Sequence, residues 1–161
     1  MIYEDVRGQR NKRDDSKIIK GIWKLMDEAD IIVGQNSKSF DIKKLNARFV
    51  INGMQPPTPY RQLDTKVMAK KAFGFTSNKL EYMADKLCTK YKKLKHKNFI
   101  GHELWSECLK GNLKAWVEME KYNKHDVLAL EELYDKLLAW DNSINFNTYH
   151  KMHDNICSFG S

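Results

Sequence analysis

The chain has 161 residues, 42% hydrophobic and 30% charged, with eight Gly and three Pro. That is the length of one domain with enough apolar side chains to bury a core, and it excludes a disordered chain. No apolar run approaches the ~20 residues that a membrane-spanning helix needs. Lys and Arg outnumber Asp and Glu by 28 to 21, a formal net charge of +7 that suits phosphate-bearing partners. The opening MIYEDVRGQRNKRDD has no apolar stretch after its charges, so no secretory signal is expected. Cys88, Cys108 and Cys157 form neither a disulfide framework nor a CxxC pair, so the expected setting is reducing and cytoplasmic.

In chain order, residues 1–6 (MIYEDV) read as a short strand, followed by a polar loop. Asp15 or Ser16 can cap a helix over 17–29, whose apolar positions Ile18, Ile19, Ile22, Trp23, Leu25 and Met26 recur at helical spacing. The β-branched run Ile31-Ile32-Val33, closed by Gly34, predicts a buried strand. A helix from Phe40 to Asn52 follows, with Ser39 as its cap and Gly53 as its stop. The proline cluster QPPTPY is a loop, RQLD at 61–64 a strand, and 65–72 a helix that Asp64 or Thr65 can cap. Helices near 78–90, 101–109 and 112–139 complete the body. From Asp141 the chain turns polar and Asn-rich and reads as an irregular tail (141–161) after a domain of residues 1–140. Strands alternating with helices predict an α/β layer fold with a parallel sheet. Three short strands are few for this length, and the sheet is expected to be incomplete on its N-terminal side.

Two local patterns carry little. Asp27-Glu28-Ala29-Asp30 spells a helicase signature, but it ends an amphipathic helix and no GxxxxGK[ST] phosphate loop precedes it, which excludes that ATPase class. His150, His153 and Cys157 have zinc-ligand residue types but lack the fourth ligand and the pairing of a structural site.

Two segments carry chemistry. In IIVGQNSKSFDIKKLNAR (31–48), a strand ends at Gly34 and a helix opens with Phe40-Asp41. Asp41 therefore falls at the carboxyl end of a strand, where open α/β sheets bind ligands, and in a first helical turn that suits an anion or a metal ligand. Asn36 lies in the intervening turn, where its amide could meet a phosphate or ribose. In MEKYNKHDVLALEEL (119–133), Tyr122 and Asp126 are spaced i, i+4 on one helix face. Ala129, Leu130 and Leu133 continue that face, which predicts a carboxylate buried on the stripe turned to the sheet. Burial of that kind costs several kcal/mol unless something pairs with it, and a divalent cation shared with Asp41 would do so. The same face also allows Asp126 to reach solvent from its edge. Residues 90–97, KYKKLKHK, hold five Lys and a His around Tyr91 and Leu94. Such a run is either a solvated stretch or a stripe that tracks a nucleic-acid backbone.

Taken together, GQN-x3-FD-x6-R (34–48), LDT (63–65), a Leu80-centred helix and YNKHD (122–126) resemble the DEDD exonucleases, which are ribonuclease H-like, two-metal 3′–5′ enzymes. Over about residues 1–140 the chain resembles in particular the bacterial and phage proteins related to the proofreading domain of family B DNA polymerases. Tyr122, four residues before Asp126, is similar to the base position of the tyrosine type, whereas the histidine-type position is Lys121. His125 points about 100° away from Asp126 on a helix and is given no catalytic role. The resemblance implies a ribonuclease H-like fold and Mg²⁺ or Mn²⁺ as cofactor, with Asp41 and Asp126 as ligands and Tyr122 orienting the attacking water. It also implies a single-stranded nucleic acid as substrate, DNA before RNA, held by Asn36, Phe40, Lys92 and Lys93. The alternative it leaves is a noncatalytic nucleic-acid-binding module of the same fold. The family's first motif, Asp-x-Glu on a strand, does not occur before Asp41, and Glu4-Asp5 cannot replace it because adjacent strand residues face opposite sides. The chain is therefore expected to be a fragment or short form, with the first motif supplied by another segment or chain.

Overall fold

The computed structural model describes residues 14–92, 94, 99 and 102–141. The strand expected at 1–6, half of the basic run 90–97 and the tail from 142 lie outside the described residues. The elements are α1 (Ser16–Glu28), β1 (Ile31–Gly34), α2 (Asp41–Ile51), β2 (Arg61–Asp64), α3 (Thr65–Ala72), α4 (Leu80–Leu87), α5 (Glu103–Leu109) and α6 (Leu113–Leu138). None of the described helices is long and apolar enough to cross a membrane.

β1 and β2 pair in parallel, with Ile31 opposite Arg61 and Gly34 opposite Asp64. Both strands therefore end at the same edge, and the turn after β1 meets the start of α3 there. The β-branched residues of β1 suit a pleated, half-buried surface. On β2 only Leu63 and Asp64 are buried.

α1 packs on α2 through Ile19, Met26 and Phe49, with Ile22, Trp23 and Leu45 around them. Three bonds lash α1 to the proline loop: the Trp23 indole donates to the Gln55 carbonyl at 2.7 Å, and the Thr58 amide and hydroxyl donate to Asp27 at 2.7 and 2.9 Å. The expected caps of these helices are replaced. Asp15 caps nothing with its side chain because Arg48 of α2 holds it, Nε donating to Oδ2 at 2.7 Å, and Asp14 accepts the Ser16 amide instead. Ser39 does not cap α2 either: the helix starts at Asp41 without a side-chain cap, and the Ser37 carbonyl takes the Ile42 amide at 2.9 Å. Gly53, at φ +70°, ends α2 as expected, since the left-handed turn after a helix suits a residue without Cβ.

The main core lies where α6 packs on α3 and α4, around Met68, Met83, Ala84, Ala129, Leu133 and Leu137. A second patch, Leu104, Cys108 and Ala115, joins α5 to the first turns of α6, and Tyr122 packs against it. Burial pushes both the Cys88 and Cys108 thiols up, as expected of inert core cysteines.

Candidate functional site

The site begins where the two strands end. After Gly34 the chain turns through Asn36, which holds φ +59°, a conformation that Asn tolerates better than most side chains. Gly34 is required here, because a Cβ at that position would overlap the Cβ and Oγ of buried Ser37. Asp64, the last residue of β2, fixes the turn. Its Oδ1 accepts the Asn36 amide at 2.9 Å and the Lys66 amide at 3.0 Å, and its Oδ2 accepts the Lys38 amide at 3.4 Å. One buried carboxylate thus caps α3 and clamps the β1–α2 turn at the same time. Gln35 completes the junction, receiving the Thr65 hydroxyl and donating to the Asn78 carbonyl at 2.8 Å. The Lys66 ammonium donates to the Asn36 side-chain oxygen at 3.1 Å.

Around this junction lie two adjoining hollows. One, of about 370 Å³, is lined by Gln35, Asn36, Lys66, Lys70, Asn78 and Lys79. The other, of about 330 Å³, contains Tyr122, His125 and Asp126 from α6, facing Glu81 of α4 and Tyr91 and Lys92 of the loop after it. Lys79 and Leu80 line both hollows and form the wall between them.

The segment after α4 is fastened to α6 at two points. Glu132 accepts the backbone amides of Thr89 at 2.7 Å and Tyr91 at 2.9 Å, together with the Thr89 hydroxyl at 2.9 Å. Those amides draw its carboxyl down to about 2. Two turns earlier on α6, His125 donates from Nε2 to the Lys92 carbonyl, and its ring meets Tyr91 edge to face with centroids 5.8 Å apart.

Asp126 is exposed at the pocket and is not buried on a stripe facing the sheet. Ala115, Glu118, Ala129, Leu133 and Leu137 of α6 are buried and Tyr122 and His125 half-buried, whereas Asp126, on the same side of the helix, opens into the hollow. α6 also packs on α3, α4 and α5, and those helices, not the sheet, receive its buried face.

The remaining sequence-predicted residues are spread more widely. Asp41 is exposed at the first position of α2 and lines neither hollow. Phe40, before it, is 52% exposed, with the Lys44 ammonium 4.2 Å from its ring centroid. Lys92 lines the Asp126 pocket, and Lys93 lies outside the described residues. Among the described residues, no three His, Cys, Asp or Glu side chains form a group that could hold a metal ion. Asp41 and Asp126 by themselves are therefore too small a donor set for a two-ion centre. Sequence alone singles out none of Lys66, Lys70 and Lys79, and gives Asp64 the strand-to-helix turn and its cap, with a distant third place among the metal-binding carboxylates. An i, i+4 lysine pair beginning two residues after Asp64 was the available signal for the first two.

A short parallel sheet flanked by helices, with polar hollows at and beside its strand ends, makes this an α/β protein. A family model described as the RNase_H superfamily matches residues 4–138, and the chain belongs to that superfamily. Membership associates it with nucleases and other nucleic-acid-related proteins. No curated protein and no solved structure matches the chain.

Proposed function

We propose that this chain carries the substrate-facing part of a tyrosine-type 3′–5′ exonuclease acting on single-stranded nucleic acid, DNA before RNA. The observation that supports the reading is one pocket lined by Tyr122 and Asp126 together, walled by Lys79 and Leu80 from the recess that contains Asn36. In this reading the Tyr122 hydroxyl orients the attacking water, and the Asn36 amide and Lys92 hold the strand. Asp41 and Asp126 are the chain's candidate ligands for Mg²⁺ or Mn²⁺, and two ions require carboxylates beyond these two, such as an Asp-x-Glu strand from another segment or chain.

The test uses single strands labelled at either end, in DNA and RNA form, with Mg²⁺, and with the chain alone or supplemented by a partner strand bearing Asp-x-Glu. Alone, the chain should cleave poorly; supplemented, it should shorten the strand progressively from its 3′ end. Asp126→Ala should then abolish release, and Tyr122→Phe should slow it by roughly 10²-fold or more while strand binding persists. Cleavage that survives Asp126→Ala, or release from the 5′ end, overturns the reading. Strand binding with no cleavage under any of these conditions leaves the noncatalytic module instead.

A further inference from the structure

The recess beside the Asp126 pocket has a chemistry of its own. Lys66 and Lys70, one turn apart on α3, converge with Lys79 at the start of α4, and no carboxylate lines the space. Among the described residues none of these three ammonium groups is paired with a carboxylate. The acid nearest Lys66 and Lys70 in sequence, Asp64, is occupied by backbone amides, and Glu81, two residues from Lys79, lines the other hollow. The Asn36 side-chain oxygen is engaged by Lys66, which leaves the NH₂ end of that amide as its free donor. Lys66 is half-buried and Lys70 and Lys79 are exposed, so all three can reach a multiply charged anion that enters the recess from solvent. At about 370 Å³ the recess is in the size range of small-ligand pockets.

We propose that Lys66, Lys70 and Lys79 form a phosphate site, which takes a phosphate of the same nucleic-acid strand whose end lies at Tyr122 and Asp126. The proposal rests on the exonuclease reading for its ligand, because the two hollows share the Lys79–Leu80 wall and one strand can enter both. A phosphate monoester, such as a released nucleotide, offers the same chemistry to the lysines.

The experiment measures binding without metal ions, so that it stands apart from cleavage. A fluorescent ten-nucleotide thymidylate strand is titrated with the full chain, with Lys70→Gln/Lys79→Gln, with Lys66→Gln, and with Lys20→Gln/Lys114→Gln as a charge-matched control outside both hollows. Circular dichroism and melting confirm that each variant is folded. The recess double variant should bind about tenfold more weakly than the control, and its slope of log K against log salt should shrink by about 0.7, the loss of one neutralised phosphate on a single strand. Lys66→Gln should shift the slope in the same direction. A thymidine monophosphate arm identifies the source: lysine-dependent displacement of the strand at equal nucleotide concentration assigns the site to a released nucleotide, and no displacement assigns it to the strand's own phosphodiester. Equal affinity and slope for the recess and control variants overturn the proposal, whatever the cleavage assay gives. Conversely, a chain that never cleaves but loses strand binding only with the recess lysines keeps the phosphate site and loses the exonuclease reading.

Discussion

Glu132 carries its charge where the amides of Thr89, Lys90 and Tyr91 converge, and that convergence holds the pocket-lining Tyr91 and Lys92 against α6. Its folded-state value of about 2 lies below the ordinary 4.5, so the stabilisation is fully present above about pH 4.5 and is lost as pH falls toward 2. Amide exchange should report this directly. Thr89, Lys90 and Tyr91 should be protected at neutral pH, lose protection across that acid window, and lose it at pH 7 in Glu132→Ala. Glu132→Gln, which keeps an acceptor oxygen, should retain part of it. Protection at these three amides that is indifferent to Glu132→Ala would remove the carboxylate from this role. At the other hollow, Asp64 likewise gathers backbone amides, those of Asn36, Lys38 and Lys66. Its partner Asn36 is 28 residues away in sequence, so only the pairing of Gly34 with Asp64 brings the two together. A cap for α3 is local and legible in LDT; a clamp on the β1–α2 turn is a tertiary fact, and no spacing rule contains it.

Among the elements, those written locally are the ones the chain declares most clearly. RQLD and the helix after it fall at 61–64 and 65–72 as the pattern predicts, because the capping Asp64 and the preceding prolines mark both boundaries. The caps of α1 and α2 were illegible for the opposite reason, since Arg48 takes Asp15 and the Ser37 carbonyl takes an α2 amide. The 26 residues of α6 were legible as a helix, and Ala129 and Leu133 of its expected face are buried, but against helices and not the sheet. Asp126 on that face is exposed at the hollow, and His125, set aside on sequence grounds, is half-buried there. The buried face carries much of the stability. Leu133 is fully buried against α3 and α4, so Leu133→Ala should lower the unfolding free energy by about 2–5 kcal/mol, read from the urea midpoint. Val127→Ala, on an exposed position of the same helix, should cost less than about 1 kcal/mol. Similar costs at the two positions would mean that α6 is not packed along this face.

At the scale of the whole molecule the governing quantity is charge. A net +7 sets like charges against one another in the compact state, and that repulsion is screened by salt. The free chain should therefore melt at higher temperature as ionic strength rises from low values. A bound strand reverses the sign. Anything that binds only the folded form raises stability with its concentration, by ~2.7 kcal/mol at a hundredfold excess over Kd. For a chain of this length that corresponds to roughly 5–10 °C in Tm. Salt weakens the strand's phosphate contacts through counterion competition, so this increment should shrink as ionic strength rises. Melting curves at several salt concentrations, with and without a single-stranded oligonucleotide, should thus converge from opposite directions, the free chain gaining Tm and the bound chain's advantage fading. An uncharged polymer of similar length should produce no increment. A strand-induced rise in Tm that does not depend on salt would mean that the surplus charge is not what meets the phosphates, and binding would then have to come from apolar or stacking contacts such as those that exposed Phe40 could offer.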